Sequence, residues 1–250
     1  MPYMKKLYEK SEIRFAVISI ILYVSGSSIA DRLSEGLGCP KLITLAFDLC
    51  LCLYLIRFLR SNQLSGSYGL CKPQYPPERF LFYLPLILLA SVNLWFGVQR
   101  NMPVFDTVCY VGSMLLVGFL EELIFRGLLF QAMRKSNERS AMVLSSLLFG
   151  VGHIVNLFNG SGTELAANLC QVVYACAVGF LFVTIFRKGG SLWPCVITHG
   201  VLNALSAFGR EEAAARHRVM VSAVLCVIAV VYTWYLWRKL PDPGEAASDS

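Results

Sequence analysis

Three short motifs place side chains that could do chemistry inside otherwise apolar stretches of this sequence. In chain order they are Glu121-Glu122 with Arg126, Phe149 with His153, and His199 with Asn203. The paired residues of each motif are four apart, a spacing that puts them on one face of an α-helix. An ionisable side chain in a lipid-embedded helix costs at least a few kcal/mol, so such residues mark candidate functional sites.

The first motif combines two carboxylates with one guanidinium group. Glu122 and Arg126 share a helical face, which favours a charge pair between them. Glu121 is rotated from that face by about 100°, because a helix turns once every 3.6 residues. We therefore expect Arg126 to hold Glu122 in its ionised form and Glu121 to stay available as a proton acceptor. The alternative is an ordinary solvated helix end just beyond the membrane.

The second motif presents an imidazole beside two small residues. Phe149 and His153 share a face, and Gly150 and Gly152 are expected to let another backbone approach closely, as small residues do in membrane helices. The alternative is a buried histidine with a purely structural hydrogen bond.

The third motif presents an imidazole and a carboxamide on one face, through His199 and Asn203. A structural hydrogen-bonding pair between helices is the alternative here. Thr198 is expected to bond to the backbone rather than to react. His217, the remaining histidine, lies in a polar turn and carries no functional expectation.

Helix geometry predicts that the motifs lie at similar depth. The connection between the helices of the first and second motifs has its middle near residues 136–137. In an antiparallel hairpin, Glu121 and His153 would each lie ~24 Å from that turn at 1.5 Å per residue. His199 would lie ~15 Å beyond the turn at Gly189, and helix tilt can absorb the difference. We expect the three motifs to form one site.

The composition indicates a membrane protein. Hydrophobic residues make up 56% of the 250 residues, charged residues only 15%, and the mean hydropathy is +0.59. An average soluble domain has roughly 25% charged residues. This excludes a soluble enzyme, a disordered chain and a disulfide-stapled secreted module, and a net charge of +6 in short clusters argues against nucleic-acid binding. The nine cysteines form no CxxC or zinc-finger spacing.

The elements that must position the motifs are apolar stretches long enough, or nearly so, to cross a bilayer, for which about 20 residues are needed. Eight are predicted, at residues 15–30, 42–59, 80–97, 104–120, 141–158, 165–186, 192–208 and 219–237. The predicted fold is therefore all-α: a polytopic membrane helical bundle of about eight transmembrane helices. Residues 1–240 form one domain, and residues 241–250 are predicted to be a disordered polar tail.

The distribution of basic residues predicts the orientation. The loops on the N-terminal side carry 16 Lys and Arg, and those on the opposite side carry 6. This favours eight crossings with both termini in the cytoplasm. An alternative for the first span is a cleaved signal peptide, since basic residues precede it and Ser28-Ile29-Ala30 resembles a cleavage site.

The motifs together suit hydrolysis by an activated water molecule. A carboxylate beside an imidazole can deprotonate water, and a second imidazole with an amide can donate to a developing oxyanion, often worth ~3–4 kcal/mol per donor. A GxSxG nucleophile motif is absent from the sequence. Hydrolysis of an amide bond is therefore the economical interpretation. Alternatively, Glu121, His153 and His199 could hold Zn²⁺ with an open coordination position, although HExxH is also absent.

The order and apolar setting of the motifs resemble the CPBP family (CAAX protease and bacteriocin-processing, also called Abi), which contains the type II CAAX prenyl endopeptidases. The resemblance covers roughly residues 104–208. It implies an eight-helix bundle whose polar cavity opens toward the cytoplasm and the membrane. It further implies that Glu121 and His153 activate water and that His199 and Asn203 stabilise the oxyanion. Glu122, Arg126 and Phe149 would support that site.

The resemblance leaves cofactor and substrate open. The family is often called metalloprotease, but a glutamate-dependent reaction needs no metal, and we prefer the reaction without zinc. The expected partners are the lipid bilayer and a hydrophobic or lipidated peptide or protein. Prenylated CAAX substrates belong to only part of the family, and bacterial members are linked to bacteriocin immunity or peptide processing. The expected location is a bacterial cell membrane, or the ER membrane if the source is eukaryotic; the oligomeric state stays open.

Two other classes of function compete with proteolysis. One is a non-catalytic immunity or scaffold protein that retains the protease fold. The other is a transporter or proton relay, in which buried Glu and His carry ions. A transporter is expected to show inverted repeats or interrupted helices in both halves, whereas the motifs here concentrate in the fourth, fifth and seventh spans. Asp48 and Asn93 are other deep polar residues, and packing roles are expected for both.

Overall fold

The computed structural model describes residues 2–158 and 164–242. Within these ranges every named element is helical, and the one extended pairing is an isolated antiparallel bridge between Val98 and Gly209. The prediction of an all-α membrane bundle is confirmed.

Six helices of the described chain are long and apolar enough to cross a membrane. After the short α1 (Pro2–Lys10), they are α2 (Glu12–Gly36), α3 (Leu42–Ser61), a 31-residue helix Val104–Arg134, the segment Glu138–Leu157, α8 (Leu165–Gly189) and α11 (Arg218–Lys239). The helix Val104–Arg134 consists of α5 (Val104–Glu122), a π-helical segment (Leu123–Phe130) and α6 (Gln131–Arg134). In Glu138–Leu157, α7 (Glu138–Gly152) is followed by a 3₁₀ turn (His153–Leu157). The molecule is therefore a multi-pass membrane protein.

The third and seventh predicted spans are not long helices. Residues 80–97 contain only the end of a 3₁₀ segment (Pro77–Tyr83), α4 (Leu84–Ala90) and one short turn (Val92–Leu94). Leu81, Phe82 and Tyr83 have left-handed backbone angles with φ near +50°, which breaks right-handed winding at this point. The seventh is α9 (Trp193–Leu205), which has 13 residues and continues into a 3₁₀ turn (Ser206–Phe208). Eight crossings with both termini in the cytoplasm thus remain a prediction.

The motif-bearing helices form the middle of the bundle. The helix α5 packs against α3 on one side and α9 on another, while α8 lies between α7 and α11. Contact between α5 and α9 is very close because two glycines face each other: a Cβ on Gly118 would lie 2.4 Å from the backbone nitrogen of Gly200. Short α10 (Glu211–Arg216) connects this region to α11. The first motif and His199 are thereby brought to one interface.

The connection predicted near residues 136–137 is present in the structure. Between α6 and α7, Asn137 caps the second helix, its side chain accepting a hydrogen bond of 2.9 Å from the backbone of Ser140. The run Asn159-Gly160-Ser161-Gly162, whose residue types favour a turn, lies outside the described residues. So does most of the predicted tail, residues 243–250. Asp242, within that tail, accepts hydrogen bonds of 2.6 Å from both Arg187 and Lys188.

Candidate active site

The first motif lies where helical winding changes. The helix is α-helical through Glu122 and π-helical from Leu123 to Phe130, a segment that includes Arg126. All eight residues of the π-helical segment are buried. π-helical turns are rare and occur often at functional sites, because the wider turn redirects side chains. The motif therefore lies inside the bundle, and the alternative of a solvated helix end is wrong.

Glu122 and Arg126 form the charge pair that their spacing predicts. A guanidinium nitrogen of Arg126 donates to Glu122 Oε1 at 3.1 Å, and both side chains are 0% exposed. The guanidinium carbon of Arg126 lies 3.9 Å from the ring centroid of Phe149, in a cation–π arrangement. Glu122 Oε2 and the Nε and second terminal nitrogen of Arg126 make no hydrogen bond to a described residue. The pair is enclosed but not fully satisfied.

His199 lies between the two glutamates. Its Nδ1 is 2.8 Å from Glu122 Oε1, and its Nε2 is 3.6 Å from Glu121 Oε2. The ring is edge-on to Phe149, with centroids 5.7 Å apart. A carboxylate only accepts hydrogen bonds, so Nδ1 carries the proton that bonds to Glu122. Glu122 therefore orients the His199 ring as well as pairing with Arg126, a double role that the sequence did not reveal.

Glu121 has a partner that sequence reasoning missed. The hydroxyl of Tyr23, in α2, donates to Glu121 Oε1 at 2.8 Å. The side chain of Glu121 keeps 16% exposure, whereas that of Glu122 has none. The two adjacent carboxylates thus differ: that of Glu122 is buried and paired with Arg126, whereas that of Glu121 is partly exposed. The only sequence signal for Tyr23 was a phenolic hydroxyl within an apolar span.

His153 stands at the end of α7, where the helix tightens into a 3₁₀ turn. Its Nδ1 lies 3.0 Å from the backbone carbonyl oxygen of Phe149, and the two rings are edge-on at 5.1 Å. Phe149 therefore contacts the guanidinium of Arg126 and both candidate histidines, so it organises the site from its centre.

Asn203 lies one turn after His199 on α9 and is partly buried. Within the described residues its side-chain amide makes no hydrogen bond, so the structure places it near the site without joining it to the glutamates. Thr198 donates to the backbone of Pro194 at 2.7 Å, as the sequence predicts.

The two glycines of the second motif differ. A Cβ on Gly150 would lie 2.2 Å from Cys176 Sγ of α8, so the predicted close approach is confirmed there. The same prediction is wrong for Gly152, where an added Cβ would have no atom of another described segment within 4 Å. Gly152 is exposed at the last turn of α7.

The same side chains bear on the alternative of a zinc site. Among the described residues, His, Cys, Asp and Glu form no group of three in positions to hold one metal ion. Nδ1 of His199 is engaged by Glu122, and Nδ1 of His153 is engaged by the Phe149 carbonyl. Both Nε2 atoms stay available, and histidines that bind a metal through one ring nitrogen commonly donate the other N–H to a carboxylate or a backbone carbonyl. The arrangement of Glu121, His153 and His199 therefore suits proton transfer and is also compatible with metal ligation.

Comparisons with known proteins found two similarities in sequence. Residues 103–205 match the family model described as type II CAAX prenyl endopeptidase Rce1-like. A protein of Bacillus subtilis (strain 168) named "Putative membrane peptidase YdiL" is 27% identical over 197 residues, covering 72% of this chain and 75% of that protein. No solved structure matches. The matched region contains all three motifs.

Proposed function

We propose that this chain is a membrane protease of the CPBP family, which its motifs and both comparisons support. Its proposed activity is that of an endopeptidase, which hydrolyses a peptide bond with a water molecule activated by Glu121 and His153. The observation that carries the proposal is the junction of the two carboxylates and His199: one ring nitrogen lies 2.8 Å from Glu122 and the other 3.6 Å from Glu121. Three helical segments converge there with two imidazoles and a partly exposed carboxylate.

His153 is in the tautomer that a general base needs. A backbone carbonyl oxygen only accepts, so the 3.0 Å contact with Phe149 places the proton of the neutral ring on Nδ1. Nε2 then carries a lone pair that can accept a proton from water. Glu121 reaches the same cluster through His199, whose ring packs against Phe149 as that of His153 does. In the proposed reaction the two groups share the water proton and later deliver it to the leaving amine.

His199 and Asn203 are the proposed donors to the oxyanion. Because Nδ1 of His199 donates to Glu122, its Nε2 can donate to the oxyanion only when the ring carries a second proton. The carboxamide of Asn203 offers a donor that needs no protonation. Preorganised donors in an enclosed site stabilise developing charge more than water does. Glu122, Arg126 and Phe149 would hold this geometry without touching the substrate.

The proposed substrate is a hydrophobic or lipidated peptide or protein that reaches the site from the bilayer or its surface. The site is enclosed by membrane-spanning helices, and the family model that the chain matches is that of prenyl endopeptidases. A prenylated C-terminal peptide is therefore the first substrate to test, with a bacteriocin-type peptide as the second. We propose the bacterial cell membrane as the location, with the ER membrane as the eukaryotic equivalent.

The test is peptide cleavage by purified protein reconstituted in liposomes. A farnesylated CAAX peptide and a non-prenylated hydrophobic peptide are offered to the wild type and to the Glu121→Ala and His153→Ala variants. General acid–base catalysis typically contributes 10²- to 10⁴-fold, so each substitution is expected to reduce the rate by at least about 100-fold. Mass spectrometry of the products identifies the scissile bond.

Matched controls come from the same chain. Glu164, whose side chain is 80% exposed, and His217, which bonds to the backbone of Ala213, are both remote in sequence from the motifs. Glu164→Ala and His217→Ala are expected to retain wild-type rates. A wild type that cleaves no peptide, together with a Glu121→Ala variant that still protects cells fully, would instead support the scaffold or immunity function.

The catalytic type needs its own measurement. We propose hydrolysis without a bound metal, and the check is elemental analysis of chelator-treated protein alongside its rate. Full activity without stoichiometric zinc supports the proposal. Activity that disappears on chelation and returns with zinc would contradict it.

A further inference from the structure

Tyr23 joins the first long helix to the candidate site. The side chain is only 6% exposed, and its hydroxyl donates to Glu121 Oε1 at 2.8 Å across 98 positions of sequence. A hydrogen bond to a charged acceptor is shorter and stronger than one between neutral groups. Residue 23 also lies outside the region that matches the family model, residues 103–205. The site thus depends on a helix that the three motifs do not include.

A second polar contact one helical turn further along α2 fixes its register. Ser27, four residues after Tyr23, donates to Asp48 Oδ1 at 3.3 Å, and Ser113 of α5 donates to Asp48 Oδ2 at 3.0 Å. Asp48 is completely buried. Through Asp48 of α3, this cluster joins α2 to α5. These are also the two helices that carry Tyr23 and Glu121. A slip of α2 along α5 would break both contacts at once.

The contact with Tyr23 gives the two carboxylate oxygens of Glu121 different partners. Oε1 accepts the phenolic hydrogen bond, while Oε2 faces His199 Nε2 at 3.6 Å. With one oxygen held, rotation of the carboxylate group about its terminal bond is restricted. The second oxygen then stays directed at His199 Nε2, on the side where the proposed reaction needs the attacking water. Restricting such rotation before the reaction reduces the entropy that must be lost in the transition state.

We infer that Tyr23 is a positioning residue for Glu121, and that its hydroxyl directs the free carboxylate oxygen toward the reacting water. This inference rests on the proposed function, since it assigns a task within the same reaction. Tyr23 itself touches neither water nor substrate in the proposed step.

The experiment compares Tyr23→Phe with the wild type in the liposome assay, using the peptide that the wild type cleaves. The substitution keeps the ring and removes only the hydroxyl. A hydrogen bond to a charged group contributes about 1.5–3 kcal/mol, which corresponds to a roughly 10- to 100-fold lower kcat. KM is expected to stay within about twofold, because the substrate does not contact Tyr23.

The matched control is Tyr232→Phe. Tyr232 is 2% exposed, and its hydroxyl donates to the backbone carbonyl of Phe80 at 2.7 Å, in a separate part of the core. Both variants lose one buried tyrosine hydrogen bond, so similar decreases in melting temperature are expected, with kcat reduced only by Tyr23→Phe. The inference is overturned if the two variants have kcat values within twofold, or if the loss at Tyr23 follows a much larger loss of folded protein. Failure of the wild type itself to cleave would count against the proposed function.

Discussion

Replacement of Arg126 by methionine should destabilise this protein far more than loss of an ordinary ion pair. Arg126 and Glu122 are both 0% exposed, and the guanidinium also lies over the ring of Phe149 at 3.9 Å. Removing one partner of a buried pair leaves an uncompensated charge and costs about 3–5 kcal/mol. In Arg126→Met, Glu122 would keep only its contact with His199, since its Oε2 makes no hydrogen bond to a described residue.

The assay is equilibrium unfolding of purified protein in mixed micelles, followed by circular dichroism and by retention of a cysteine-labelling pattern. Arg134→Met is the matched control, because Arg134 lies on the same continuous helix and pairs with Glu138 at the same spacing. That pair is about 30% exposed on both sides, and such pairs contribute about 0.2–1 kcal/mol. We expect the free energy of unfolding to fall at least threefold more for Arg126→Met.

A second substitution separates charge from packing. If the cost arises from the unpaired carboxylate, Glu122→Gln added to Arg126→Met should recover part of the lost stability. An Arg126→Met variant no less stable than Arg134→Met would refute the assignment of a buried charge pair. A double variant no more stable than Arg126→Met would show that the unpaired carboxylate is not the source of the loss, and that the lost cation–π contact with Phe149 dominates.

Two further predictions concern helix contact and the C-terminal segment. Gly118→Ala should lower the free energy of unfolding by about 1–3 kcal/mol and reduce activity, because the added Cβ would meet the backbone of Gly200 at 2.4 Å and displace α9. Thermal unfolding is compared with that of Gly36→Ala, whose added Cβ would have no atom of another described segment within 4 Å, so little change is expected there. Hydrogen bonds from Arg187 and Lys188 lower the pKa of Asp242 from 3.8 to about 2, so its ionised form stabilises the folded state above pH 3.8, and this contribution is lost as the pH falls through about 2. Since Asp242 is 46% exposed, the difference in unfolding free energy between wild type and Asp242→Asn should stay below about 1 kcal/mol at neutral pH and vanish at low pH.

The long helices and the first charge pair could be predicted because both depend on local sequence. Apolar runs of span length leave a helix as the stable backbone in lipid, since its hydrogen bonds are internal. A spacing of four residues predicted contact between Glu122 and Arg126, and a guanidinium nitrogen of Arg126 lies 3.1 Å from Glu122 Oε1. The roles proposed for Glu121, His153, His199 and Asn203 remain predictions.

The third and seventh predicted spans are the ones that local sequence did not predict correctly as long helices. Apolar content alone predicted helices at residues 80–97 and 192–208, yet the first contains three consecutive left-handed residues, at Leu81, Phe82 and Tyr83. That conformation is costly outside glycine. Packing compensates for it here: Phe80 is completely buried, and its carbonyl accepts the hydroxyl of Tyr232. Such compensation comes from α11, some 150 positions away.

What the sequence determined by itself is the membrane setting, the helical class and the set of side chains capable of chemistry, because composition and spacing act over a few turns of helix. Only the tertiary structure decided which of these side chains meet. The contact of His199 with both glutamates and that of Tyr23 with Glu121 join residues 77 and 98 positions apart. Their geometry follows from the close packing of α5 against α9 and from the register of α2, and neither is encoded in the period of a single helix.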